Sequence, residues 1–207
     1  MSPYALIRPF ALTVLISAAF AAHAGDGRIP TDQDKLPKGV PSAPAVAAQC
    51  MACHGPAGQS QYEDWPSLAG QKQSYLLQQL QDFKSGARKD PMMAPVVAQL
   101  SDADLKKLAE HFSAQPALQP RQPLAANAAV PAAAAACMAC HDNAALPSEP
   151  FLRGQKVHYL TEQLKAFRDG KRKNAVMEAM AKPLSDADVT AIAEHFSRLA
   201  PLAAPKK

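Results

Sequence analysis

The sequence predicts an all-α protein made of two tandem copies of one small domain, related by an internal repeat. Three observations carry this. "LAGQKQSYLLQQLQDFKSGARK" from Leu68 returns as "LRGQKVHYLTEQLKAFRDGKRK" from Leu152, 84 residues later. "LSDADLKKLAEHFS" from Leu100 returns as "LSDADVTAIAEHFS" from Leu184 at the same offset, without a gap. Within each string the apolar residues recur at three and four positions, and no strand-like alternation stands out.

Taken in chain order, residues 1–24 read as a signal peptide. Arg8 lies near the start, an apolar run follows from Phe10 to Ala22, and Ala22-His23-Ala24 makes a small-x-small cleavage site before Gly25. The run is well short of the ~20 residues that a spanning helix needs. Residues 25–40 form an N-terminal extension. The first copy spans 41–114 and the second 128–200. Between them lies a Pro/Ala-rich linker, 115–127, of extended character, and 201–207 form a short tail.

In each copy an Ala-rich helix is expected first. A middle helix carries Tyr75, Leu76, Leu80 and Phe83 and stops at Gly86, a natural C-cap. The last helix starts at Ser101 as N-cap, with Asp102 and Asp104 where the helix dipole favours negative charge. Leu105, Leu108, Ala109 and Phe112 then share one face, as do Val189, Ile192, Ala193 and Phe196 in the second copy. A copy of this size holds few large apolar side chains and buries little surface by itself, so something else is expected to fill its centre. The formal charge of +4 is spread along the chain without a polybasic block, which argues against nucleic-acid binding.

All four cysteines fall in two copies of one string, Cys50-Met51-Ala52-Cys53-His54 and Cys137-Met138-Ala139-Cys140-His141. A four-cysteine zinc site would leave both histidines unexplained and tie two separate repeats to one ion. A redox dithiol belongs after a strand in an α/β fold, and no such pattern is present. Covalent haem c is the standard meaning of C-x-x-C-H. Two thiols on one helical turn, Cys50 with Cys53 and Cys137 with Cys140, each add to a vinyl group of one porphyrin, and His54 or His141 then meets the iron. Two covalently bound haem c groups are therefore expected, in an exported protein.

For the other axial ligand the repeat narrows the choice. Met93 falls on Met177, whereas Met92 falls on Val176 and Met180 on Val96. A thioether at Met93 and Met177 would complete His/Met ligation and favour ferrous iron; the competing reading is a pair of core gap-fillers. His111 and His195 are also paired, and are expected at an exposed or domain-surface position rather than on the iron. Pro66 and Pro150 align, and their carbonyls are candidates to accept the ring N–H of His54 and His141. Arg88 and Arg172 either pair with haem propionates or form an exposed basic turn.

These residues resemble a known family, the two-domain, two-haem class I cytochromes c, and within them the cytochrome c4 family. The resemblance rests on CMACH together with "PSLAGQKQSYLLQQLQDFKSG" and "MAPVVAQLSDADLKKLAEHF", and on "PFLRGQKVHYLTEQLKAFRDG" and "MEAMAKPLSDADVTAIAEHF" in the second copy. It implies two tandem class I cytochrome c domains, each built around one covalent haem, with the propionate edges close together across the interface. It places the methionine ligand eight residues before the serine of "LSD", again Met93 and Met177. His111 and His195 depart from it, standing where the family often has tyrosine.

The resemblance also implies a periplasmic electron carrier rather than an enzyme. Its redox partners would be a donor such as a quinol-cytochrome c reductase and an acceptor such as a terminal oxidase, and peripheral membrane association is compatible with this role. The alternatives are the cytochrome subunit of a larger periplasmic dehydrogenase of the flavocytochrome type and, further off, a di-haem peroxidase, which would need one iron with an open face.

Overall fold

A computed structural model of the chain describes residues 44–117, 119–120, 122–125 and 127–202. The expected signal peptide and N-terminal extension lie outside the described residues. The described residues all belong to one compact unit, Asp32–Lys207. Among them the regular structure is helical, without strands.

The first copy contributes α1 (Ala48–His54), α2 (Gln73–Ser85), α3 (Met93–Ala98) and α4 (Asp102–Ser113). The second contributes α5 (Ala132–His141), α6 (Val157–Arg168), α7 (Ala175–Ala181) and α8 (Asp186–Arg198). The Ala-rich run before the second cysteine string is a continuous helix, as expected. Before the first string the helix is shorter, because Pro44 starts a separate 3-10 turn over Ala45–Ala47.

The starts and stops follow the local sequence. Ser101 Oγ accepts the Asp104 N–H at 3.2 Å while an Asp104 carboxylate oxygen accepts the Ser101 N–H at 3.1 Å, a reciprocal cap that satisfies two donors at the start of α4. Ser185 and Asp188 repeat it on α8. Gly86 ends α2 in the left-handed region at φ +79°, where a side chain would be strained. The apolar stripe of α4 packs on α2, and that of α8 packs on α6 and α5. Leu105, Leu108, Ala109 and Phe112 are buried in one core, and Ile192, Ala193 and Phe196 in the other.

One expectation is overturned. His111 and His195 are buried, at 7% and 5% exposure. Each lies three residues after a core residue, Leu108 or Ile192, and so shares the inward side of the last turn. His111 is covered by Gln115, whose amide contacts its ring, and His195 packs edge-on to Phe196.

Candidate functional site: two histidine–cysteine turns

α1 and α5 each end on the cysteine string, so Cys50, Cys53 and His54 occupy one helical turn, as do Cys137, Cys140 and His141. Cys50, Cys53 and Cys137 are half-buried and Cys140 is exposed. The two strings are not drawn together: among the described residues no three His, Cys, Asp or Glu side chains converge on a common ion.

Both histidines are buried, and their rings are fixed by one bond each. His54 Nδ1 donates to the Pro66 carbonyl at 2.8 Å, and His141 Nδ1 donates to the Pro150 carbonyl at 2.7 Å. A carbonyl only accepts, so Nδ1 carries the proton and Nε2 keeps its lone pair. Burial, the largest influence, depresses both imidazoles below their ordinary value and keeps them neutral. A neutral imidazole with Nε2 unprotonated, next to two thiols on the same turn, is the donor set of a haem c site. The loop from His54 to Pro66 is three residues longer than that from His141 to Pro150, so the carbonyl is delivered to the same place by different routes.

Met93 opens α3 and Met177 lies in the first turn of α7; both are half-buried. Met93 packs against the first core, as does Cys50. Met92 is 63% exposed and Met180 43% exposed. The backbones of Met93 and Met177 are held by side-chain caps: Asp90 Oδ1 accepts the Met93 N–H at 2.9 Å, and Asn174 Oδ1 accepts the Met177 N–H at 3.0 Å. Asp90 and Asn174 are themselves 84 residues apart, a match that sequence reasoning passed over.

Arg88 and Arg172 are brought to the interface between the copies. Arg88 donates to Gln79 of its own copy at 2.8 Å and to Tyr159 and Gln163 of the other at 3.1 and 2.7 Å. Arg172 mirrors it, donating to Gln163 at 2.6 Å and to Tyr75 and Gln79 at 3.1 and 2.8 Å. Each guanidinium also lies over a ring of its own copy, Phe83 or Phe167, at 4.5 Å. Neither takes part in an ion pair among the described residues. Two half-buried cations bonded only to neutral oxygens are short of anionic partners, and carboxylates of a bound group fit that need.

A second reciprocal contact was also missed by sequence reasoning. Gln155 Oε1 accepts the Ser67 N–H and Gln155 Nε2 donates to the Ser67 carbonyl, both at 2.9 Å. Gln71 does the same to Phe151, accepting its N–H and donating to its carbonyl, also at 2.9 Å. The repeated "GQK" held the signal, but a repeat does not reveal that a residue's partner lies in the other copy.

Helical halves, each with a fixed neutral histidine beside two thiols, define a c-type cytochrome with two haem sites. Residues 43–114 match the cytochrome c family model. Cytochrome c4 of Pseudomonas aeruginosa is 35% identical over 75% of this chain and 86% of its own length. The thiosulfate dehydrogenase electron acceptor of Thiomonas intermedia is 47% identical over 75% of this chain and 81% of its own. The crystal structure of reduced recombinant cytochrome c4 from Pseudomonas stutzeri superposes with a TM-score of 0.65 at 32% identity, covering 74% of this chain and 94% of that one. The chain belongs to the cytochrome c4 family. It is a di-haem electron-transfer protein, with two covalently bound haem c groups as cofactors.

Proposed function

We propose that the protein is a periplasmic electron carrier whose two haems have His/Met ligands: His54 with Met93, and His141 with Met177. Cys50 and Cys53 hold the first haem, and Cys137 and Cys140 the second. Each haem, when bound, takes up and releases one electron. The protein's own residues determine how easily it does so. His54 and His141 present Nε2 in a fixed orientation, because Pro66 and Pro150 engage the opposite ring nitrogen. Met93 and Met177 supply a soft sulfur that favours the ferrous state. Arg88 and Arg172 bind propionates at the interface, where their charge lacks an ion-pair partner. With His54 and Met93, and His141 and Met177, all held by iron, no site would be left open to a substrate, so the protein would carry electrons and would not be an enzyme by itself.

The observation that carries this reading is the pair of Nδ1–carbonyl bonds, made identically in both copies. Support for two domains, 41–114 and 128–200, comes from the two helix sets, which run from Ala45 to Ser113 and from Ala132 to Arg198. Export is supported by the leader-like N-terminus, and no helix among the described residues is long and apolar enough to cross a membrane. The donor is open to two readings. One is a quinol-cytochrome c reductase feeding a terminal oxidase. The Thiomonas relative, at 47% identity, favours the other, in which the donor is a periplasmic dehydrogenase such as thiosulfate dehydrogenase. Stopped-flow reduction of the oxidised protein by each candidate donor separates them. A donor that leaves it oxidised is eliminated, and high-spin spectra at either iron would overturn the carrier reading.

A further inference from the structure

We propose that Gln71 and Gln155 are cross-copy positioning residues, each tuning the iron-facing histidine of the opposite copy. The inference rests on His54 and His141 being the axial histidines. The Ser67 N–H and the Pro66 carbonyl belong to one peptide group. That group therefore makes two bonds in series: its oxygen accepts from His54 Nδ1 at 2.8 Å, and its N–H donates to Gln155 Oε1 at 2.9 Å. The second copy is built the same way. The peptide joining Pro150 and Phe151 accepts from His141 at 2.7 Å and donates to Gln71 Oε1 at 2.9 Å.

Hydrogen bonds in series through one amide polarise one another. An acceptor on the N–H side draws electron density onto the carbonyl oxygen and makes it a better acceptor for the histidine. A more strongly bound Nδ1–H gives a more basic imidazole, which favours ferric iron. Gln155 thus holds down the potential of the first haem from the second copy, and Gln71 does the converse.

The geometry supports an aligned contact rather than a loose one. Ser67, Gln71 and Gln155 are all buried. Each glutamine amide is used at both ends, since its second atom donates to the carbonyl of the same residue whose N–H it accepts. Each Oε1 also accepts the N–H of the next residue in its own chain, Lys72 or Lys156, at 2.9 and 3.0 Å. Two N–H groups converging on one amide atom fix it as the oxygen. Because that neighbour is the N-cap residue of α2 or α6, the amide is anchored to a helix start of its own copy while it grips the other.

The test uses the full di-haem protein and reads each haem separately. Haem methyl resonances of the oxidised form, assigned by nuclear Overhauser contacts within each copy, are followed through a redox titration. Gln155→Leu is expected to raise the potential of the haem beside His54 and leave the other in place. The ferrous-to-ferric ratio at fixed applied potential should rise about threefold for one strengthened bond lost from the series, or about 30 mV at 59 mV per tenfold. Gln71→Leu should move only the haem beside His141. Gln155→Glu keeps an acceptor on the Ser67 N–H and makes it anionic, so it should lower the first potential.

A merely structural clasp would shift both haems together, or shift the haem of the substituted copy, or give leucine and glutamate the same sign. Any of these, or no shift at all, overturns the proposal. If Gln155→Leu does not fold, the glutamate variant and Gln71→Leu still decide. Wild-type protein lacking two low-spin spectra would overturn the ligand assignment and this inference with it. Intact low-spin spectra with the wrong shifts overturn this inference alone.

Discussion

Replacing Met93 by Ala tests the ligand assignment most directly, because an adjacent methionine serves as its control. Met92 precedes Met93 on the chain, yet it is 63% exposed while Met93 is half-buried against the first core. Oxidised haem with a His/Met pair shows a weak near-infrared band from sulfur to iron. The two sites are equivalent in kind, so Met93→Ala should remove about half of the band, and Met177→Ala the other half. Met92→Ala and Met180→Ala should leave it whole. The stability cost should separate the same pairs. Truncating a fully buried methionine costs about 2–5 kcal/mol, so a half-buried one should cost about half of that, apart from any loss of the iron bond. Truncating an exposed one should stay within ~0.5 kcal/mol. Met93→Ala should also lower the potential of one haem, since the sulfur that favours ferrous iron is gone, and should open that iron to cyanide. The assay is near-infrared absorption of the oxidised variants, with thermal unfolding alongside. A full band in Met93→Ala with half lost in Met92→Ala would put the assignment out by one residue. A full band in all four variants would remove methionine ligation altogether.

Three further outcomes are expected. Replacing Cys50 and Cys53 by Ala should leave one covalent haem per chain after denaturing extraction, measured by mass spectrometry, because Cys137 and Cys140 attach theirs independently. Ser101→Ala and Ser185→Ala should each cost about 1 kcal/mol in chemical unfolding, since each removes the side-chain half of a capping box on the last helix of its copy. Burial lowers the imidazoles of His111 and His195 from their ordinary 6.5. The unfolded chain therefore binds protons that the folded chain resists, and the stability contributed by the neutral rings is present above pH 6.5 and lost as pH falls below it. His111→Gln should flatten that acid-side loss in a series of melts between pH 7 and 5; an unchanged slope would show that His111 is not one of its sources.

How much was legible in the sequence depends on whether a feature is settled within one helical turn. The haem strings, the Gly86 stop and the Ser101 and Ser185 caps are such features, because spacing and residue type decide them. Pro66 and Pro150 were legible for a related reason: a repeated proline ahead of a turn offers a carbonyl and nothing to donate. The burial of His111 and His195 is not legible in the sequence, because their side of the helix is closed by tertiary packing. Gln115, four residues on and past the end of α4 at Ser113, does this in the first copy, so the periodic stretch of α4 does not contain it. The sequence leaves Arg88 and Arg172 open to two readings, because it does not say which faces of two copies meet. Their bonds to Tyr159 and Gln163, and to Tyr75 and Gln79, exist only across that meeting.

The interface joins the copies almost wholly through bonds in which at least one partner is neutral. Gln71 and Gln155 engage backbone, Arg88 and Arg172 engage hydroxyl and amide oxygens, and Lys72 donates to the carbonyls of Asn143 and Leu146. Among the described residues the only contact between the copies that brings an acidic and a basic side chain together is the exposed one of His158 with Asp64. Salt screens exposed charges from one another, largely so beyond a Debye length of about 8 Å at physiological ionic strength, and acts much less on short bonds to buried neutral groups. The relative placement of the two haem sites should therefore be insensitive to ionic strength. A carrier must release its partners as readily as it meets them. On the carrier reading proposed above, an interface fixed by bonds to neutral groups would keep the separation of the two haem sites constant while salt altered the encounter with a partner.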